Sequence, residues 1–153
     1  MSYTLYFDGC CKGNPGIGSL GVALFRDEEE IWNDCKFIGN KETNNSAEYS
    51  ALIHGLNYVI ENNITDDLIV KGDSQLVIRQ MLGEYKVKSL NLLDSYQKAK
   101  KLITKIPKII LDKSVEVHDG QATFGRFQNH NVLLLLLNHK QIYNLIYLHF
   151  QKI

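Results

Sequence analysis

Residues 6–16 read YFDGCCKGNPG. The alternating, aromatic lead-in from Ser2 to Phe7 predicts a strand ending at Asp8, with Gly9 opening a turn that Gly13, Asn14, Pro15, Gly16 and Gly18 extend. Two more strands follow, Leu20 to Phe25 and Ile31 to Ile38, joined by the polar turn Asp27 to Glu30. Three consecutive strands with short connections predict an antiparallel meander. The pattern then changes period. Ala47, Ala51, Leu52, Leu56, Val59 and Ile60 recur at helical spacing, and Asn44, Asn45 and Ser46 are all residue types that cap a helix start.

Beyond that helix, Leu68 to Val70 is a short apolar strand running through Lys71 and Gly72 to Asp73, and Ser74 to Leu82 resumes helical spacing until Gly83. A further helix is predicted from Leu90 to Ile106, with a basic face at Lys98, Lys100, Lys101 and Lys105 and a stop at Pro107. Ile109 to Val117 is the last predicted strand and Val132 to Phe150 the last helix. A meander followed by crossovers to parallel strands requires an α/β fold with a mixed sheet and helices on both faces. At 153 residues with 44% apolar content, one domain over residues 1–153 suffices to bury a core.

Seventeen basic and seventeen acidic residues cancel, so any affinity for a polyanion must come from local placement. No Asp or Glu follows Asp119, whereas Arg126, Lys140 and Lys152 do, which leaves +3 on the tail and −3 before it. Cys10, Cys11 and Cys35 are odd in number and match no zinc spacing, so a reducing, cytoplasmic setting is expected. The longest unbroken apolar run, Val132 to Leu137, is too short to cross a bilayer, and the N-terminus lacks a signal-peptide pattern.

Three acids carry the chemistry: Asp8 in YFDGCCKGNPG, Glu48 in TNNSAEYSALIHGL and Asp73 in LIVKGDSQLVI. Each alone has an ordinary reading. Asp8 can cap a turn, Glu48 can complement the dipole in the first turn of its helix, and Asp73-Ser74 can open the next helix. Taken together they are more specific. If the strands that Asp8 and Asp73 end are neighbours, both carboxylates meet at one sheet edge, and Glu48 reaches the same edge from the covering helix. Clustered carboxylates repel until a cation neutralises them, and an all-oxygen donor set suits Mg²⁺ or Mn²⁺.

In order and spacing, YFDG-CCK-GNPG, TNNSAE and GDSQLV resemble the three N-terminal motifs of the type 1 ribonuclease H family. The continuation QMLGEYKVKSLNL is similar to the bacterial and archaeal forms that lack the extra basic helix. The resemblance covers about residues 3 to 106. It implies a ribonuclease H-like fold with a mixed five-stranded sheet, and a metal-dependent endonuclease that cuts the RNA strand of RNA–DNA hybrids. It implies that Asp8, Glu48 and Asp73 hold two Mg²⁺ ions, with Mn²⁺ as a substitute, and that a 5′-phosphate is left on the RNA. Asn14, Thr43, Asn44, Asn45 and Gln75 become the substrate-binding residues, with Thr43 at a position where the family binds a DNA-strand phosphate. Lys86 and Lys88 are expected at phosphates, while Trp32 and Tyr85 are expected to pack. No obligatory protein partner and no membrane are implied.

The family's fourth carboxylate sits in a motif at the start of the C-terminal helix, where this chain reads VEVHDGQATFGRFQNHNVLLLLL. The motif is absent. Asp112, Glu116 and Asp119 are the late acids, with Asp119 first among them, and His118 or His130 the stand-ins for the family's mobile histidine. A weak or inactive hybrid-binding module of the same fold is therefore the alternative, and a second rival is another nuclease of the same broad fold. By hypothesis, a shifted reading frame or altered C-terminus accounts for the missing acids and the leucine run together. Finding the standard motif in no alternative frame of the encoding DNA would count against it.

Overall fold

The computed structural model describes residues 1–113 and, as backbone alone, residues 117–118 and 121–122. A long meander opens the chain: β1 (Ser2–Gly13), β2 (Gly16–Arg26) and β3 (Glu29–Glu42). Helix α1 (Asn44–Glu61) leads to β4 (Asp67–Gly72), then α2 (Gln75–Met81), α3 (Leu90–Ile103) and β5 (Ile109–Asp112). The sheet order is β3-β2-β1-β4-β5, antiparallel on the β3–β1 side and parallel where β4 joins β1 and β5 joins β4. Two short strands, β6 (Val117–His118) and β7 (Gln121–Ala122), pair separately. This is the predicted α/β class, with a mixed five-stranded sheet. The helix predicted over 132–150 lies outside the described residues.

Two strand ends are corrected. The first strand does not end at Asp8 but continues to Gly13, pairing with β2 rung by rung from Tyr3↔Arg26 to Gly13↔Gly16 around a two-residue turn. Of the glycines that resemble turn punctuation, Gly9, Gly16 and Gly18 are paired strand residues, while Gly13, at a φ of 84°, bends the chain into the turn. The last predicted strand is likewise shorter than Ile109 to Val117, since β5 ends at Asp112.

Strand alternation sends Leu5 and Phe7 of β1 to one face, where they meet Val22, Leu24, Leu52, Leu56, Leu68, Val70, Ile78 and, from α3, Leu92 and Ala99 in a single buried cluster. The opposite face carries a smaller cluster of Tyr6, Ala23 and Phe25, flanked by Cys10 and Cys35. The edge strand β3 is pinned to α1 by a stack of Trp32 on Tyr58, with ring centroids 3.8 Å apart, and by His54 Nε2 lying 2.7 Å from Asp34 Oδ2. Trp32 is thus a packing residue, as predicted. Truncating a side chain such as Leu52 in this core would cost about 2–5 kcal/mol.

Candidate functional site

Asp8 lies within β1 on the face opposite Phe7, and its side chain is buried. Between it and α1 stands Gly9, where a Cβ would sit 2.2 Å from the carbonyl carbon of Ala47 and 2.4 Å from the amide nitrogen of Glu48. Only glycine allows helix backbone to rest directly on strand backbone here. That contact carries Glu48 to Asp8. On the other side β4 runs parallel to β1 and ends with Gly72 beside Phe7, so Asp73 follows at the rung next to Asp8. One carboxylate oxygen from each of Asp8, Glu48 and Asp73 falls within 4.8 Å of the others.

The helix start differs from expectation, and the difference matters for Glu48. Thr43, not Asn44, Asn45 or Ser46, is the N-cap: its hydroxyl accepts from the Ser46 amide, and Ser46 Oγ accepts from the Thr43 amide. Counting from that cap, Glu48 stands in the second turn, and the first turn holds no acid. The helix dipole therefore gives little reason for an acid at this position, since its effect fades beyond the first turn.

The electrostatics explain what the cluster asks for. Burial, reinforced by the charge of Asp73, pushes the Asp8 carboxyl well above the ordinary carboxylate range. Glu48 is raised in the same way by burial and then by Asp8 and Asp73. The Gly9 amide opposes both shifts by hydrogen bonding. The Cys10 thiol, two residues along the same strand face, is pushed up to about 12 by burial and then by Asp8. Asp8 Oδ2 and Glu48 Oε2 are buried without a hydrogen-bond partner. Orphaned buried oxygens are costly, and a divalent cation would satisfy both while cancelling the repulsion. The donor set is all oxygen, which fits Mg²⁺ or Mn²⁺ and disfavours softer ions.

At the start of α1 lies a cavity of about 260 Å³ lined by Asn14, Thr43, Asn44, Asn45, Ser89, Asn91 and Leu92. Four of the five predicted substrate-binding residues therefore share one wall. Two are interlocked: the Asn44 amide donates to Asn14 Oδ1 at 3.1 Å, and Asn44 Oδ1 accepts from the Cys11 amide at 3.2 Å. These bonds lash the β1–β2 turn to the start of α1. Gln75 is placed elsewhere. Its side-chain amide donates to the Lys113 carbonyl and its Oε1 accepts from Arg79, within a network in which Glu84 pairs with both Arg79 and Lys113. Hydrogen bonding to Lys113 holds Glu84 below its ordinary value.

Ser89, Asn91 and Leu92 were not singled out by sequence, although the polar Ser89 and Asn91 at a predicted helix start are the signal that could have found the first two. Tyr85 is half exposed, with the Arg79 guanidinium 5.6 Å from its ring centroid. Among the described residues only Asp8, Glu48 and Asp73 converge as a group able to hold a metal. Asp112, one of the late acids, pairs instead with Lys71 at 3.5 Å. Glu116, Asp119 and His130 lie outside the described residues, as does the side chain of His118.

The family described as reverse transcriptase-like matches residues 6–112. Ribonuclease HI of Halobacterium salinarum is 35% identical over 99 residues, which is 65% of this chain and 49% of that protein. Among solved structures, the N-terminal RNase H domain of Rv2228c from Mycobacterium tuberculosis is 32% identical with a TM-score of 0.68, covering 72% of this chain and 85% of that one. LC11-RNase H1, solved in complex with an RNA/DNA hybrid, is 28% identical with a TM-score of 0.68, covering 79% and 88%. The matched segment spans half or less of the curated relatives, 30% in the case of the bifunctional protein Rv2228c. No helix among the described residues is long and apolar enough to cross a membrane.

Proposed function

Since this chain belongs to the type 1 ribonuclease H family, we propose that it hydrolyses the RNA strand of RNA–DNA hybrids at a metal centre built by Asp8, Glu48 and Asp73. The observation that carries this reading is the triangle of acids within 4.8 Å, two of them, Asp8 and Glu48, buried and each with an oxygen that lacks a partner. When bound, a pair of divalent ions supplies an activated water and the charge that stabilises the departing 3′ oxygen. Asp8, held in a paired strand, and Glu48, held by the helix resting on Gly9, present their oxygens from fixed backbone, so little reorganisation is needed on binding. The products are a 5′-phosphate on one RNA fragment and a 3′-hydroxyl on the other, with one water consumed.

Recognition of the hybrid is assigned to the neighbouring wall. Small amides at Asn14, Asn44 and Asn45 suit a wide, shallow minor groove that displays 2′-hydroxyls, so they can read RNA by shape rather than by sequence. Thr43, Ser89 and Asn91 offer hydroxyl and amide donors on the same cavity for a backbone phosphate. The amides of Asn14 and Asn44 retain their Nδ2 donors after the interlock, because only their oxygens accept in it. Cys10, Cys11 and Cys35 form no disulfide among the described residues, which supports a reducing, cytoplasmic location.

The direct test uses labelled RNA–DNA hybrid beside matched double-stranded RNA and DNA, in Mg²⁺ and then Mn²⁺. Internal cuts confined to the RNA strand of the hybrid, abolished in Asp73→Asn, are the expected result; no cleavage in either metal would sink the proposal. A second reading, a hybrid-binding module with weak or no catalysis, is favoured by one observation. Three acids rather than four converge among the described residues, and Asp112 is committed to Lys71. That reading predicts tight hybrid binding in Mg²⁺ without fragments, and binding largely intact in Asp8→Asn.

A further inference from the structure

The acid-bearing elements are joined by one buried polar bond. Tyr49 Oη donates to Gln80 Oε1 at 2.6 Å, from α1 to α2, with Tyr49 fully buried and Gln80 only 3% exposed. Apart from Glu48, the other buried side chains of the two helices are apolar: Ala47, Ala51, Leu52, Leu56 and Val59 on α1, and Val77, Ile78 and Met81 on α2. Apolar contact is non-directional and tolerates sliding, whereas a short hydrogen bond sets both distance and register. A polar pair in such an interface adds placement rather than burial.

Its position decides what is placed. Tyr49 directly follows Glu48 on a helix whose backbone is seated on β1 at Gly9. Gln80 is the second-last residue of a seven-residue helix whose N-cap, Ser74, directly follows Asp73. Two turns of helix have little rigidity of their own. The like charges of Glu48 and Asp73 push their elements apart, and a tether on the far end of α2 resists that separation. We propose that Tyr49 and Gln80 are positioning residues that hold Glu48 and Asp73 at the separation a shared divalent ion requires. They touch neither ion nor substrate. The inference rests on the metal-centre reading above and goes beyond it by naming the core contact that sets the affinity of the site.

The test measures Mn²⁺ binding directly, by electron paramagnetic resonance of free Mn²⁺, in wild type, Tyr49→Phe, Gln80→Met and the double variant. Each single variant leaves one polar partner buried and alone; the double variant removes both and replaces them with apolar groups of similar size. Melting temperature follows folding in all four, and a Gln80→Met protein that fails to fold leaves Tyr49→Phe to decide by the same affinity. The expected result is a Mn²⁺ affinity weakened about tenfold in each single variant, the loss typical of a support behind a metal ligand. The double variant recovers melting temperature but not affinity, and the KM for hybrid stays at the wild-type value. A double variant that binds Mn²⁺ as tightly as wild type would overturn the inference while leaving the metal centre intact. A wild-type chain that binds no Mn²⁺ would overturn the metal centre and the tether with it. A wild type that binds Mn²⁺ without cutting hybrid would fail the proposed hydrolysis, and the affinities would still decide the tether.

Discussion

The acid pocket and the amide wall lie side by side at the start of α1, yet they are built on opposite terms. Asp8 and Glu48 are buried, mutually repelling and partly unpartnered, so the apoprotein is destabilised at that point. Asn14, Asn44 and Asn45 are exposed, and two of them are engaged in ordinary turn and helix-start bonds that any scaffold would welcome. The first region carries a cost that a purely structural role does not explain. The second carries none. Function is therefore easier to infer from the acids than from the amides.

That contrast can be broken by substitution. Asp73→Asn or Asp8→Asn should lower hybrid cleavage by more than about 10²-fold, the scale of removing a placed charge-stabilising group. In Asp8→Asn the metal-free protein should melt higher than wild type, because one buried repulsive charge is gone. Activity assays paired with melting in chelator check both signs at once. Loss of activity with a lowered melting temperature would mean that the acid is a structural member instead.

A pH series sharpens the same point. Asp8 and Glu48 are raised in the folded chain, so they favour the folded state most below the ordinary carboxylate range, and that contribution is lost as pH rises through their elevated values. In chelator, melting temperature should fall across that interval. With Mn²⁺ present the fall should shrink, since the ion binds the ionised pair. Scanning fluorimetry in both conditions reports the difference, and parallel curves would refute metal binding by these acids.

Smaller effects are expected on the amide wall. Asn14→Ala removes the acceptor for the Asn44 amide and one groove donor, for about 1 kcal/mol, which corresponds to roughly a fivefold rise in KM for hybrid with little change in kcat. Gln75→Ala should change KM less than that. Its side chain serves Lys113 and Arg79, so its removal should appear as a lowered melting temperature instead. A KM effect at Gln75 larger than at Asn14 would reverse the assignment.

The parts of this molecule differ in how far sequence exposes them. Helical period and the apolar β4 run were visible because their burial is one-sided and local. The length of β1 was not, since Gly9 and Gly13 look like turn residues until β2 is known to pair with them. The helix cap moved to Thr43 because four successive residues, Thr43 to Ser46, are all competent caps, and the reciprocal bond with Ser46 selects one. The acid trio was legible as three motifs. Ser89 and Asn91 were not, because only the packing of α3 against α1 brings them to residues more than forty positions earlier in the chain.

Gly9 has a meaning for anyone who would move this site elsewhere. The strand and helix touch where a methyl group would already collide with backbone. Grafting three carboxylates onto another α/β scaffold would therefore transfer the ligands without the gap that lets them meet. The transferable unit is an acid followed by an absence: a dipeptide whose second residue is chosen for the volume it leaves out.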